Sequence, residues 1–232
     1  LVTRLMPGEE IVVSYGPKYL DPHLIVTPSV ALGQATKELI RMGDIAIAML
    51  DDVYIAFKSG NRDYIKYAAQ KESTINALEQ DIVVYLVKIS QRSLSDEQSS
   101  RLNALLNICN DLERVGDHAE NLMELAEYRH EHKLPFSAEG IAELEDMQGR
   151  VKGLVQSAIQ ALSENDLDIA KDILRRENEI DQLEKELRRS HIARLNENKC
   201  HAGAGIVFLD MISNLERIAD HANNVAEAVI KQ

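Results

Sequence analysis

Asp111–Asn121 reads DLERVGDHAEN, and Asn214–Asn224 reads NLERIADHANN. From Asp111 to Glu124, eight of fourteen positions are identical to the stretch that starts at Asn214. A helical core selects apolar volume at a period near 3.6 and does not dictate the order of Glu, Arg, Asp and His on the wet face. A polar phrase written twice therefore points to a duplicated unit, and to some further demand on its polar side chains.

The repeat extends upstream. At a constant offset of 105 residues, Glu38-Leu39 falls on Glu143-Leu144, Met42 on Met147, Asp63 on Asp168, Glu72 on Glu177, Ile75 on Ile180 and Leu78-Glu79 on Leu183-Glu184. The phrase itself repeats at 103, so the second copy has lost two residues in its last connection. Within each copy apolar residues recur every three or four positions, broken by helix punctuation. Thr27-Pro28 offers a hydroxyl cap and a proline at the first helical position; Ser59-Gly60-Asn61 ends one helix and caps the next; Ser95 to Gln98 is a capping box. Leu134 to Ser137, Asn165-Asp166 and the polar stretch near Asn196 to Lys199 mark the later boundaries. The pattern predicts an all-α chain of six helices, each about 40 to 50 Å long, arranged as two tandem antiparallel three-helix bundles. Residues 1–30, rich in proline, are expected to form an extended linker, 31–131 the first unit and 132–232 the second.

Lys and Arg number 26 against 38 Asp and Glu, a net charge of −12 that repels phosphate backbones and anionic lipid and favours cations as ligands. Nucleic acid is therefore excluded as a partner. The two cysteines, Cys109 and Cys200, have no CxxC companion, which argues against a disulfide framework or a thiolate zinc site and fits a reducing cytoplasm. The apolar run near Ile45–Leu50 is too short to span a bilayer. The chain opens abruptly on Leu1, as a piece of something larger would.

Residues four apart lie about 40° apart around a helix, so Glu113 and Asp117 project together, as do Glu216 and Asp220. A separate stripe, Leu105, Cys109, Leu112, Ala119, Leu122 and Ala126, faces the core. The second helix of each unit supplies a matching polar stripe, Glu72 and Asn76 in one copy, Glu177 and Asp181 in the other. Stripes facing each other would gather oxygen ligands for a hard or borderline cation: Mg, Ca, Mn or ferric iron, with zinc possible. The competing reading leaves these acids solvated or paired with Arg114 and Arg217. His118 and His221, about 100° around the axis, either edge such a site or pack between helices. No enzyme is indicated: Glu127–His130 is a lone Glu-x-x-His with no mate in the repeat, and no HExxH, nucleophile elbow or phosphate loop occurs.

The duplicated LERxxDHAxN phrase, in register with ENEIDQLE from Glu177, resembles the PhoU family of phosphate-uptake regulators over roughly residues 31 to 232. That resemblance implies multinuclear metal clusters on the bundle surface, iron foremost and zinc or another divalent cation also in scope. Carried over by position, the ligands are Glu177, Asp181, Glu216 and Asp220 in the second unit and Glu72, Glu113 and Asp117 in the first, where Asn76 replaces an expected carboxylate. A further stretch, YLDPHLIVTPSVALGQATKELIRMG from Tyr19, is similar to the segment that joins the membrane part of bacterial sodium/phosphate cotransporters to a C-terminal PhoU-like domain. This implies a regulatory domain tethered to a membrane transport domain of the same polypeptide, at the cytoplasmic side of the bacterial inner membrane, with a homodimer possible and direct contact with phosphate left open. The alternative is a purely structural interaction or dimerisation module.

Overall fold

The computed structural model describes residues 16–197 and 199–231. Six α-helices follow a short 3₁₀ turn at Pro22–Val26: α1 (Pro28–Ser59), α2 (Arg62–Ser90), α3 (Asp96–Glu131), α4 (Ala138–Glu164), α5 (Leu167–Asn196) and α6 (Ala202–Ile230). No strand occurs among the described residues. The first turn of each three-helix unit has a left-handed residue where the chain reverses: Gly60 (φ 70°) ends α1 and Asn165 (φ 52°) ends α4, the cap that glycine and asparagine adopt with least strain. Asn61 and Asp166 then accept amide hydrogens of α2 and α5. The capping box at Ser95 and Gln98 is formed in both directions, at 3.2 and 3.1 Å. The Thr27 cap is not: its hydroxyl accepts no bond from α1, because Pro28 already removes the first orphan donor and sets the helical φ.

Helices α1, α2 and α3 pack on one another, as do α4, α5 and α6; α3 lies along α6 and α1 along α4. The predicted core stripe of α3 is buried throughout, from Leu105 to Ala126. Gly43 of α1 faces Ile159 of α4, and an added Cβ would stand 2.6 Å from its Cγ1, so glycine sets how closely these two helices approach. Lys152 to Asp51 (2.6 Å) and Lys58 to Glu145 (3.2 Å) link α4 to α1 across their exposed flank.

The described part of the expected linker is not extended. The 3₁₀ turn packs on α1 and α2, with Ile25 buried. Fully buried Glu38 accepts the backbone amides of Lys18 (2.8 Å) and Tyr19 (2.7 Å) while also paired with Arg41, and Tyr85 donates to the carbonyl of Asp21. A buried carboxylate satisfied by two amides and a guanidinium has strong reason to hold this segment in place. Residues 1–15 lie outside the described chain. Among the described residues, no helix is long and apolar enough to cross a membrane.

Candidate metal centres

The repeated phrase divides its residues between two tasks. One set joins the copies. Asp111 of α3 accepts from His221 Nδ1 (2.9 Å) and Asn224 Nδ2 (3.0 Å) of α6. Reciprocally, Asn214 of α6 accepts from His118 Nδ1 (3.0 Å) and Asn121 Nδ2 (3.2 Å) of α3. The two imidazoles stack with centroids 5.6 Å apart at 24°. Carboxylate and amide oxygens only accept, so each Nδ1 carries the proton. Burial lowers the proton affinity of His118, and the neighbouring His221 and Arg217 add to that. The histidines therefore pack between helices as a reciprocal clasp, and the first residue of each phrase is there to receive the other copy's His and Asn.

The other set lies about 100° around the helix axis from the histidines. On α5 and α6, the carboxyls of Glu177 and Asp220 come within hydrogen-bonding reach, with Asp181 beside Glu177. Glu216 feels Asp220, Asp181 and Glu184. On α2 and α3, Glu72 lies among Glu120, Asp117 and Glu113, and Glu113 beside Asp117 and Glu79. The expected residues thus fall into two patches, one per unit. Burial is the first cause, and neighbouring negative charge the second, of raised proton affinity at Glu72, Glu113, Glu177 and Glu216. Carboxyls whose ionised form is disfavoured by burial and by neighbouring carboxylates are the ones a cation partner would relieve.

Side cations relieve part of that shortage. Arg114 lies 3.3 Å from Asp117 and 3.7 Å from Glu113, and Lys185 lies 2.6 Å from Asp181. Asn76 donates its amide to Glu72, the departure anticipated from sequence. Among the described residues no three His, Cys, Asp or Glu side chains close on one point as an ion would require. The donor chemistry fits an oxygen-seeking cation, whereas here Asp117, Asp181 and Glu72 are engaged by Arg114, Lys185 and Asn76. Burial pushes the Cys109 thiol up to about 12, so it offers no thiolate. Glu120, Glu79 and Glu184 join the patches without having been expected as ligands. Their signal was in the repeat, since Glu79 and Glu184 are mates at the same offset of 105.

A family model described as the PhoU domain matches residues 39–126 and again 144–229, one match per three-helix unit. The chain belongs to the PhoU family. Its PhoU relatives include the phosphate-specific transport system accessory protein PhoU homolog 1 of Thermotoga maritima, 31% identical over 182 residues, 78% of each chain. YjbB of Salmonella typhimurium, a protein named for inorganic phosphate export, is 24% identical over 93% of this chain, which spans only 40% of YjbB. PhoU from Pseudomonas aeruginosa has the same fold, with a TM-score of 0.82 at 24% identity over 87% of this chain and 96% of that one. The PhoU fold thus accounts for the two bundles, and the PhoU repeat for the doubled phrase at their junction.

Proposed function

We propose that this chain is a regulatory, metal-binding PhoU-like domain that modulates phosphate transport, working beside or joined to a membrane transport domain. What supports the metal reading is that half-buried Glu72 and Glu113, and Glu177 and Glu216, on adjacent helices share one acidic patch per unit, their proton affinities raised first by burial and then by neighbouring carboxylates. In the second unit Glu177, Asp181, Glu216 and Asp220 would hold the ion; in the first Glu72, Glu113 and Asp117 would do so, with Asn76 as a neutral fourth ligand. An oxygen-bound cation, iron foremost, supplies the charge that the acids lack. Binding requires Asp181 and Asp117 to exchange Lys185 and Arg114 for the ion.

The phosphate reading is supported by the accessory-protein relatives, named for phosphate-specific transport. The tethered arrangement is supported by YjbB, in which the stretch matching this chain is part of a longer protein. The packing of residues 16–27 on the first unit would give such a tether a fixed exit. A regulatory domain without catalysis accords with the accessory role in the relatives' names. Stripping metal tests the reading: a ion bound only by the folded chain raises its melting temperature, so treatment with chelator is expected to lower it and re-addition of iron to restore it. The purely structural alternative predicts no change in either step.

A further inference from the structure

Where the α4–α5 turn meets α1 and the start of α3, a cavity of about 280 Å³ is lined by Thr36, Glu97, Arg101, Leu162, Ser163 and Asn165. Arg101 is half-buried, and its enclosed Nε has no hydrogen-bond partner. Its Nη2 donates to Thr36 Oγ1 at 3.3 Å, and that hydroxyl in turn donates to the Leu32 carbonyl at 2.9 Å. Thr36 therefore orients the guanidinium and has no proton left for a ligand. Among the described residues no carboxylate is in ion-pair range of Arg101, although Glu97 lines the same cavity.

The duplication shows that the fold does not require this arrangement. The repeat mates of Thr36 and Arg101 are Ile141 and Ala204, so the same three-helix unit packs with an isoleucine and an alanine where the first copy places a hydroxyl and a cation. A partly desolvated guanidinium with unused donors is costly unless an anion completes it. Its planar fork matches a carboxylate, sulfate or phosphate group. Ser163 and Asn165 bring a hydroxyl and a carboxamide to the rim, both able to donate to such a group.

We propose that this cavity binds a small oxyanion, with Arg101 as its charged anchor and Ser163 and Asn165 as supporting donors. At roughly 30 Å³ per water, the space exceeds a bare tetrahedral ion, so the oxyanion is either free or the head of a small organic ester. This site is separate from the acidic patches and does not depend on metal.

The test is calorimetric titration of the whole chain, stripped of metal by chelator and dialysed, with inorganic phosphate, sulfate and glycerol phosphate in turn. Saturable binding by at least one probe is expected. Arg101→Met should weaken it at least about tenfold, the scale of one lost charge-assisted contact, and Arg189→Met, at an exposed arginine of α5 outside both sites, should leave it unchanged. Tighter binding of glycerol phosphate identifies the ester as the occupant, and preference for an inorganic probe identifies the free ion. Glu97→Gln removes the negative charge that lines the cavity beside Arg101 and should tighten binding. Should Arg101→Met fail to fold, Arg101→Lys, which keeps the charge without the fork, is expected to weaken binding as well. No saturable binding in both the unaltered chain and Glu97→Gln, or binding indifferent to the Arg101 variants, overturns the proposal.

Discussion

Asp111 and Asn214 occupy the same place in the repeat and do the same work with different chemistry, each oxygen receiving one imidazole and one carboxamide from the opposite copy. Asp111 is 8% exposed, so Asp111→Ala strands two donors and should destabilise the chain by about 1–3 kcal/mol. Asp111→Asn copies the other half of the clasp and should cost under about 1 kcal/mol, both read from urea melts. The outward acids behave oppositely. Glu216 has its proton affinity raised by burial and by Asp220, Asp181 and Glu184, so its ionised form is disfavoured in the fold. For a group shifted upward, the folded chain binds more protons than the unfolded one, and stability falls as pH rises through the interval above the ordinary glutamate value of 4.5. In metal-free protein Glu216→Gln should therefore stabilise by a few tenths of a kcal/mol at neutral pH, the scale of a screened like-charge pair. That gain should vanish as acid protonates the native carboxyl, as thermal melts of the two proteins across pH would record.

At the scale of helices, spacing alone was enough to place six elements and most of their ends. Gly60, Asn61, Ser95 and Asp166 act as the punctuation they spell, since caps are local chemistry between residues two or three apart. The described part of the upstream segment was not legible in this way. Its place depends on Glu38, a core-facing acid on α1 whose purpose appears only when Lys18 and Tyr19 are folded back over it. The approach of α1 to α4 is equally non-local. Gly43 reads as an ordinary weak point in a helix, yet a Cβ there would press into Ile159. Gly43→Ala should thus lose more from overpacking than alanine's helix propensity returns, a net cost of about 1–3 kcal/mol. A lower denaturant midpoint with unchanged slope would record it.

Across the whole molecule, two copies of one unit meet along α3 and α6, and the repeated phrase serves the junction and the patches at once. The acid pairs could be placed on one face from their spacing, and the facing stripes of α2 and α5 from the repeat. The histidines could not be assigned, because whether a side chain about 100° from the acids meets metal or another helix depends on where the second copy docks. The copies are also unequal. Asn76 stands where the second unit has Asp181, and its amide is occupied with Glu72. The first patch should therefore hold metal more weakly than the second, and Asn76→Asp should narrow the difference; anomalous scattering from crystals soaked at limiting metal would show unequal occupancy in the native chain and more equal occupancy in the variant.

Carboxylates from neighbouring helices, on the proposed function, are gathered for a cation. Elemental analysis of chain purified without chelator, set beside the Glu216→Gln, Asp220→Asn double variant, tests it most directly. Iron or another oxygen-seeking metal is expected at stoichiometric level in the native chain and clearly less in the folded variant. A native chain free of metal after reconstitution, or a variant that holds as much as the native chain, would contradict it.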